Sequence, residues 1–206
     1  MKRRAETTRR DFLKAAGSAA AVSALAEVPI PRVYAAQDGQ FKLGLIGCGG
    51  RGTGAAGNAL TPQCNRDAVL WAMADLFPEN LESSRKSLTA MFGDRVQVPP
   101  ERRFTGFDGY RGVIENCDVV LICVPPRFTS AMTLEAVTAK RHVFFAIHAA
   151  VDVPGVNRVL QAHELSQRNG TSLVCGHVYR FHLGRREAVR RIQDGQIGEI
   201  TSIQCD

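Results

Sequence analysis

Beyond residue 40 the chain alternates between short apolar runs and segments of helical periodicity. Phe41–Ile46, Ala68–Asp75, Asp118–Val124 and His142–Ile147 are strongly apolar, and Arg102–Thr105 and Thr171–Cys175 are shorter candidate strands. The longer ones are nearly continuous in Val, Ile, Leu and Phe rather than alternating with polar residues, which is the pattern of strands buried on both faces. Between them, Thr53–Leu60, Asn80–Met91, Tyr110–Asn116, Thr129–Thr138, a segment from Asp152 to about Arg168, and Gly184–Asp194 read as helices. Asp152 is a suitable N-cap with Pro154 in the first turn behind it, and Asn169-Gly170 turns the chain into the next strand. Pro125-Pro126 halts the fourth strand, and Val96–Pro100 reads as a loop. Strands that alternate with helices predict an α/β fold built on a doubly wound parallel sheet of six strands.

The first strand runs directly into Gly47-Cys48-Gly49-Gly50-Arg51-Gly52. Gly47, Gly49 and Gly52 have the G-x-G-x-x-G spacing of a Rossmann dinucleotide-binding turn. The first glycine allows a tight turn, the second lets a pyrophosphate approach the backbone, and the third lets helix and strand pack closely. The amides that open the following helix then face the anion. The second strand ends in Asp75, at the distance where this fold carries an acid for the ribose hydroxyls. A carboxylate there repels a 2′-phosphate, so the expected cofactor is NAD in preference to NADP. The alternative role for Asp75 is to cap the helix around Pro78–Met91. Ligands of doubly wound sheets sit at the carboxyl ends of the strands. The candidate contacts are therefore Gly47, Cys48, Gly49, Gly50, Arg51, Gly52, Asp75 and Val124–Arg127 (Val124 and Pro125 above all), with Ile147–His148 and Gly176–Arg180 further along.

The amino terminus has a different character. Thr8-Arg9-Arg10-Asp11-Phe12-Leu13-Lys14 followed by the alanine-rich stretch Ala15–Ala26 reads as a twin-arginine export signal, residues 1–36, removed after Ala26 or Ala35. The apolar stretch is too short to anchor the mature protein in a membrane. The signal also explains the charge. The whole chain is +6, but residues 1–35 hold seven Lys/Arg against three Asp/Glu, so the remainder is only about +2. That balance gives no case for nucleic-acid binding. Export in the folded state, with cofactor loaded, fits a nucleotide-binding domain bound for the periplasm. Of the six cysteines, Cys48, Cys123 and Cys175 fall in the turn or at strand ends and read as buried free thiols. Cys64, Cys117 and Cys205 are less constrained. No C-x-x-C or Cys/His cluster suggests a metal.

With these residues placed, the chain from Phe41 onward resembles the glucose-fructose oxidoreductase / inositol dehydrogenase / MocA family. The resemblance rests on Leu45–Gly52, Met73-Ala-Asp75, Asp118–Pro126, Ala139–Phe145 and Gly195–Ile200. It implies a Rossmann domain over residues 41–180. It further implies that residues 181–206 begin a second, open-faced β-sheet domain, of which the final run Thr201–Asp206 is the first strand and the rest is truncated away. It also implies NAD(P)-dependent chemistry on a sugar, cyclitol or related small molecule. The family's hallmark after the fifth strand is Glu-Lys-Pro, whose lysine holds a substrate hydroxyl and assists proton transfer. Here the triplet is Ala146-Ile147-His148, and the histidine that often follows the Pro-rich turn is Thr129. Ala and Ile cannot act in acid–base work. His148 is the remaining candidate catalyst, or a loop residue without a role. His177, Tyr179-Arg180 and His182 follow the sixth strand, where the family keeps polar residues facing substrate or cofactor. They read here as surface or packing residues, and Arg185, Arg186, Arg190 and Arg191 as a solvated helix face. Three readings stay open: an oxidoreductase represented by part of its chain, a protein that binds NAD without transferring hydride, and a nonfunctional remnant. A domain that lacks its covering partner is also expected to self-associate through exposed apolar surface.

Overall fold

The computed structural model describes residues 40–62, 67–177 and 182–204. The strands are β1 (Phe41–Ile46), β2 (Ala68–Asp75), β3 (Arg103–Thr105), β4 (Val119–Ile122), β5 (His142–Phe145) and β6 (Leu173–Cys175). The helices are α1 (Gly50–Leu60), α2 (Pro78–Phe92), α3 (Gly109–Asn116), α4 (Pro126–Thr138), α5 (Val153–Asn169) and α6 (Leu183–Gln193). The strands form one sheet in the order β3-β2-β1-β4-β5-β6. Every pairing is parallel. This is the doubly wound order, in which the connections reverse direction between β1 and β4 and leave a crevice above the carboxyl ends of those strands.

The apolar runs become central strands because each is covered twice. On one face Leu43, Leu45, Leu70, Met73 and Leu121 pack with Ala56 and Leu60 of α1 and Leu81 and Leu88 of α2. On the other, Ile46, Ala72, Ala74, Val120, Ile122 and Phe145 pack with Val113 and Ile114 of α3, Ala136 and Val137 of α4 and Ala162 of α5. Burial on both faces is why the strand sequences lack alternation. Close approach at Gly44 is part of this packing. A Cβ there would lie 2.3 Å from Val113 Cγ1, so α3 rests directly on the backbone of β1.

The ends of α5 follow their local signals. Asp152 Oδ1 accepts the Gly155 amide at 2.7 Å. Gly170 closes the helix in the left-handed region, φ +68°, a conformation glycine adopts without Cβ strain. Other boundaries moved. Helix α4 starts at Pro126 rather than Thr129, because proline is compatible with the first helical position. Residues 93–95 and 100–102 form single 3₁₀ turns, and Val96 pairs with Leu70, so the expected loop is partly ordered against the sheet and Arg102 precedes β3. Arg102 instead lays its guanidinium 3.5 Å from the Trp71 ring while Nε donates to the Trp71 carbonyl at 2.9 Å. The strand expected from Thr201 is absent over residues 201–204. A strand exists only when a neighbour pairs with it, and none of the described residues does so here. Residues 1–36, Cys64, Tyr179, Arg180 and Cys205 lie outside the described residues.

Candidate functional site

The glycine turn connects β1 to α1 at the point where the strand order reverses. Gly47 has φ +89° and would place a Cβ 2.4 Å from the Cys123 carbonyl oxygen, so both its backbone conformation and the closeness of β4 exclude a side chain. Gly52 would place its Cβ 1.8 Å from the Gly47 carbonyl oxygen, which locks the helix onto the turn. Gly49 is different. Its φ of −68° suits any residue, and a Cβ there would meet no atom within 4 Å. The lack of a side chain at Gly49 is thus not required by the protein's own packing; it keeps open the space above the turn. The amides of Gly50 and Arg51 open α1 and have no acceptor within the helix. Among the described residues, the amides of Gly49, Gly50, Arg51 and Gly52 have no hydrogen bond, whereas those of Gly47, Cys48 and Thr53 do.

Cys48 departs from the expected role. Its amide, expected to face a pyrophosphate, donates to Asp75 Oδ2 at 2.6 Å. Its side chain is buried, with Sγ 3.4 Å from the Ala74 carbonyl oxygen. Burial, and after it the Asp75 carboxylate, pushes the Cys48 thiol well above its ordinary range, so it stays neutral. Cys48 therefore ties the turn to the tip of β2 and does not reach the crevice through its side chain. Cys117 is likewise buried, its thiol pushed up to about 12 chiefly by burial. Cys123 and Cys175, expected to be buried, are only half-buried free thiols, because each sits where its strand emerges from the core.

Asp75 does two things at once. Oδ2 holds Cys48, while Oδ1 accepts the Phe77 amide at 2.9 Å and stands 3.4 Å from Asn80 Nδ2. The carboxylate thus stabilises the entry to α2, although the N-cap position itself is Phe77. A carboxylate has about four acceptor sites, so these contacts leave capacity for further donors.

Asp75 lies on the wall of a cleft of about 290 Å³ that opens over the carboxyl ends of β1, β2 and β4. Gly47, Gly49, Val124 and Pro125, all expected from the sequence, line it. Sequence reasoning missed most of its apolar wall: Leu76, Phe77, Phe107, Tyr110, Phe128 and Met132. Phe77 is 56% and Phe107 66% exposed, and the Phe107 and Phe128 rings lie 6.1 Å apart. Large apolar side chains standing in solvent at strand ends were the available signal, since an isolated loop gains nothing from them.

The carboxyl ends of β5 and β6 form a separate neighbourhood. Ala146 is buried, Ile147 is 48% exposed, and His148 is exposed. The Ile147–His148 peptide is cis. None of the three lines the cleft. Gly176 packs against the Phe144 ring, and His177 Nδ1 lies 3.1 Å from Cys175 Sγ. His182 caps α6 by accepting the Arg185 amide at 3.3 Å, a helix-end role. Arg190 and Arg191 both pair with Glu187, and Arg190 also with Asp194, as expected of a solvated face. Among the described residues no helix is long and apolar enough to cross a membrane.

Comparison with known proteins is consistent with this geometry. Residues 6–26 match the model of the TAT (twin-arginine translocation) pathway signal sequence. A glycosyl hydrolase family 109 protein of Shewanella pealeana is 24% identical over 93% of this chain and 44% of its own length. One from Shewanella baltica is 26% identical with the same coverage. Among solved structures, the scyllo-inositol dehydrogenase of Lactobacillus casei, with bound NAD(H) and scyllo-inositol, superposes with a TM-score of 0.61 at 23% identity, over 79% of this chain and 43% of that one. The myo-inositol 2-dehydrogenase of Lactobacillus plantarum gives 0.62 at 21%, over 78% and 43%. A 3-ketoreductase of Actinomadura kijaniata, in complex with NADP and TDP-benzene, gives 0.59 at 20%, over 78% and 44%. The chain spans less than half the length of these relatives. It carries a twin-arginine signal sequence and has a Rossmann-like fold, and its sequence is similar to that of glycosyl hydrolase family 109 proteins.

Proposed function

We propose that residues 41–180 bind a nicotinamide dinucleotide, that NAD is preferred over NADP, and that the protein acts in the periplasm. One observation carries the reading: an open, side-chain-free space over Gly49, beside amides without a hydrogen bond among the described residues and the Asp75 carboxylate, at the strand-order reversal of a doubly wound sheet. The amides of Gly49, Gly50 and Arg51 would hold the pyrophosphate. Asp75 would accept the ribose hydroxyls with the lone pairs that Cys48 and Phe77 leave over. The adenine would lie in the apolar cleft, among Leu76, Phe77, Phe107 and Phe128. Val124 and Pro125 would border the path toward the carboxyl end of β5. A bound cofactor supplies hydride chemistry; the protein's share is to orient it and exclude water from the apolar wall. Solved neighbours hold NAD(H) in one case and NADP in another, so the choice between the two rests on Asp75.

Titration of the folded chain with NAD and NADP tests this choice. A 2′-phosphate beside the Asp75 carboxylate is repelled in a half-buried setting, and NADP is expected to bind at least about tenfold more weakly than NAD. Asp75→Ser should narrow that gap, mainly by strengthening NADP. Equal affinity in the unaltered chain would leave Asp75 as a structural tie only.

The substrate would be a sugar, a cyclitol or a related compound, by likeness to the dehydrogenases and glycosyl hydrolases named above. The chain itself is read as binding the dinucleotide without appreciable hydride transfer, because Ala146-Ile147-His148 offers no base positioned at the cleft. Self-association through the exposed apolar residues of α5 and α6 is expected for the isolated chain. Export itself is read from the sequence at residues 6–26. A reporter fused after residue 36 should leave the cytoplasm, and Arg9→Lys with Arg10→Lys should retain it. Export unaffected by that pair of changes would contradict a twin-arginine route.

A further inference from the structure

The sheet order β3-β2-β1-β4-β5-β6 divides the molecule into two halves, β1–β3 and β4–β6. In doubly wound folds that bind a dinucleotide, each half serves one mononucleotide. The tips of the two halves differ here. In the first half every strand ends on the cleft: β1 through Gly47 and Gly49, β2 through Asp75, Leu76 and Phe77, and β3 through Gly106 and Phe107. In the second half β4 does so, through Cys123, Val124 and Pro125. The residues that follow β5, and the described residues that follow β6, lie outside it.

Size and chemistry agree with this asymmetry. At about 290 Å³ the cleft stands at the lower limit of small-molecule sites, which span about 300–1,000 Å³, so it takes up part of a dinucleotide rather than the whole. The groups it offers match one part. The amides of Gly49, Gly50, Arg51 and Gly52 lack a hydrogen bond among the described residues and suit a diphosphate. Asp75 keeps acceptor capacity beyond the Cys48 and Phe77 amides, which suits ribose hydroxyls. The apolar wall of Leu76, Phe77, Phe107 and Phe128 suits the face of a flat base. A nicotinamide ring makes a different demand, since its carboxamide needs both a donor and an acceptor. At the tip of β5, Ala146 is buried and neither it nor Ile147 has a polar side-chain atom, while His148 is exposed away from the cleft.

We propose that the ligand class of this cleft is the adenosine 5′-diphosphate group itself, so that ADP and ADP-ribose bind as well as NAD and the nicotinamide end adds nothing to affinity. This rests on the nucleotide reading above and narrows it. The diphosphate lies on the turn, the ribose on Asp75 and the adenine against the aromatic wall. Whatever is attached to the second phosphate stays in solvent. Recognition of this kind selects a class of adenine nucleotides and not one redox cofactor, in keeping with a β5 tip that carries no group for the reacting ring.

Calorimetric titration of the chain with ADP, ADP-ribose, NAD, AMP and nicotinamide mononucleotide separates the two halves. ADP, ADP-ribose and NAD should bind with similar affinity and compete with one another. AMP should bind at least about tenfold more weakly than ADP, because a phosphate on the amides is lost. Nicotinamide mononucleotide should give no binding heat. Phe107→Ala should weaken ADP and NAD alike, by about tenfold, the loss expected for one base stacked on an aromatic ring. Phe107 is 66% exposed, so the variant is expected to fold, and its thermal melt checks this. NAD binding more than about tenfold tighter than ADP, the worth of one further hydrogen bond, overturns the proposal and leaves the dinucleotide reading standing. Binding of nicotinamide mononucleotide by itself, or ADP binding indifferent to Phe107→Ala, also overturns it. Silence of NAD and ADP together, in a chain that melts cooperatively, removes the dinucleotide reading and this proposal with it.

Discussion

Replacing Gly49 with Val leaves the fold intact and abolishes dinucleotide binding. A Cβ at Gly49 meets nothing within 4 Å, and the backbone there is in a region open to all residues, so the protein has no internal reason to resist the change. The added isopropyl group would occupy the space over the amides of Gly49–Arg51, where a pyrophosphate must come within hydrogen-bond distance. An affinity loss of at least about a hundredfold is expected, since two or three charge-assisted hydrogen bonds disappear together. Gly52→Ala behaves in the opposite way. Its Cβ would stand 1.8 Å from the Gly47 carbonyl oxygen, a backbone atom that cannot move without opening the turn. That change should destabilise the domain by about 3 kcal/mol or more. Thermal melts and titrations of the two variants separate the roles. Equal damage to stability by both would mean that Gly49, too, is only a packing residue.

The second large effect concerns chemistry. The unaltered chain should show no appreciable NAD reduction with a panel of sugars and cyclitols. Hydride removal from an alcohol needs a group to accept the hydroxyl proton, and general-base catalysis is worth about 10²–10⁴-fold. At the carboxyl end of β5 the chain presents a buried Ala146, an Ile147 that cannot titrate, and an exposed His148 outside the cleft. Orientation of the substrate contributes at least as much as the base. Ile147→Lys should therefore restore little by itself. Robust turnover by the unaltered chain would show that His148, or another residue, carries the proton, and the non-catalytic reading would fail.

Much of this architecture is legible in the sequence because its determinants are local. Four apolar runs mark the central strands β1, β2, β4 and β5, since burial on both faces demands continuous hydrophobicity. The glycine spacing marks the turn, since the positive φ of Gly47 and the contact of Gly52 with the Gly47 carbonyl arise within one short segment. What escaped notice depends on contacts between distant segments. The Cys48 amide is held by Asp75, 27 residues away, and nothing in either segment alone distinguishes that bond from a free phosphate donor. The cleft's aromatic wall joins Phe77, Phe107 and Phe128, which follow three different strands and become neighbours only through the sheet order. Its place at the carboxyl end of β4 suggests Arg127 as a nucleotide contact, but it falls in the first turn of α4 and does not line the cleft. The run from Thr201 has strand-like composition, but composition cannot supply the partner that makes a strand.

The central claim is that the turn of Gly47–Gly52 and Asp75 form a working dinucleotide site, and calorimetric titration of the folded chain with NADH tests it most directly. The account predicts a saturable transition with one NADH per chain, lost in Gly49→Val at unchanged thermal stability. A sample that melts cooperatively yet produces no binding heat with NADH or NAD, at several temperatures, would contradict it.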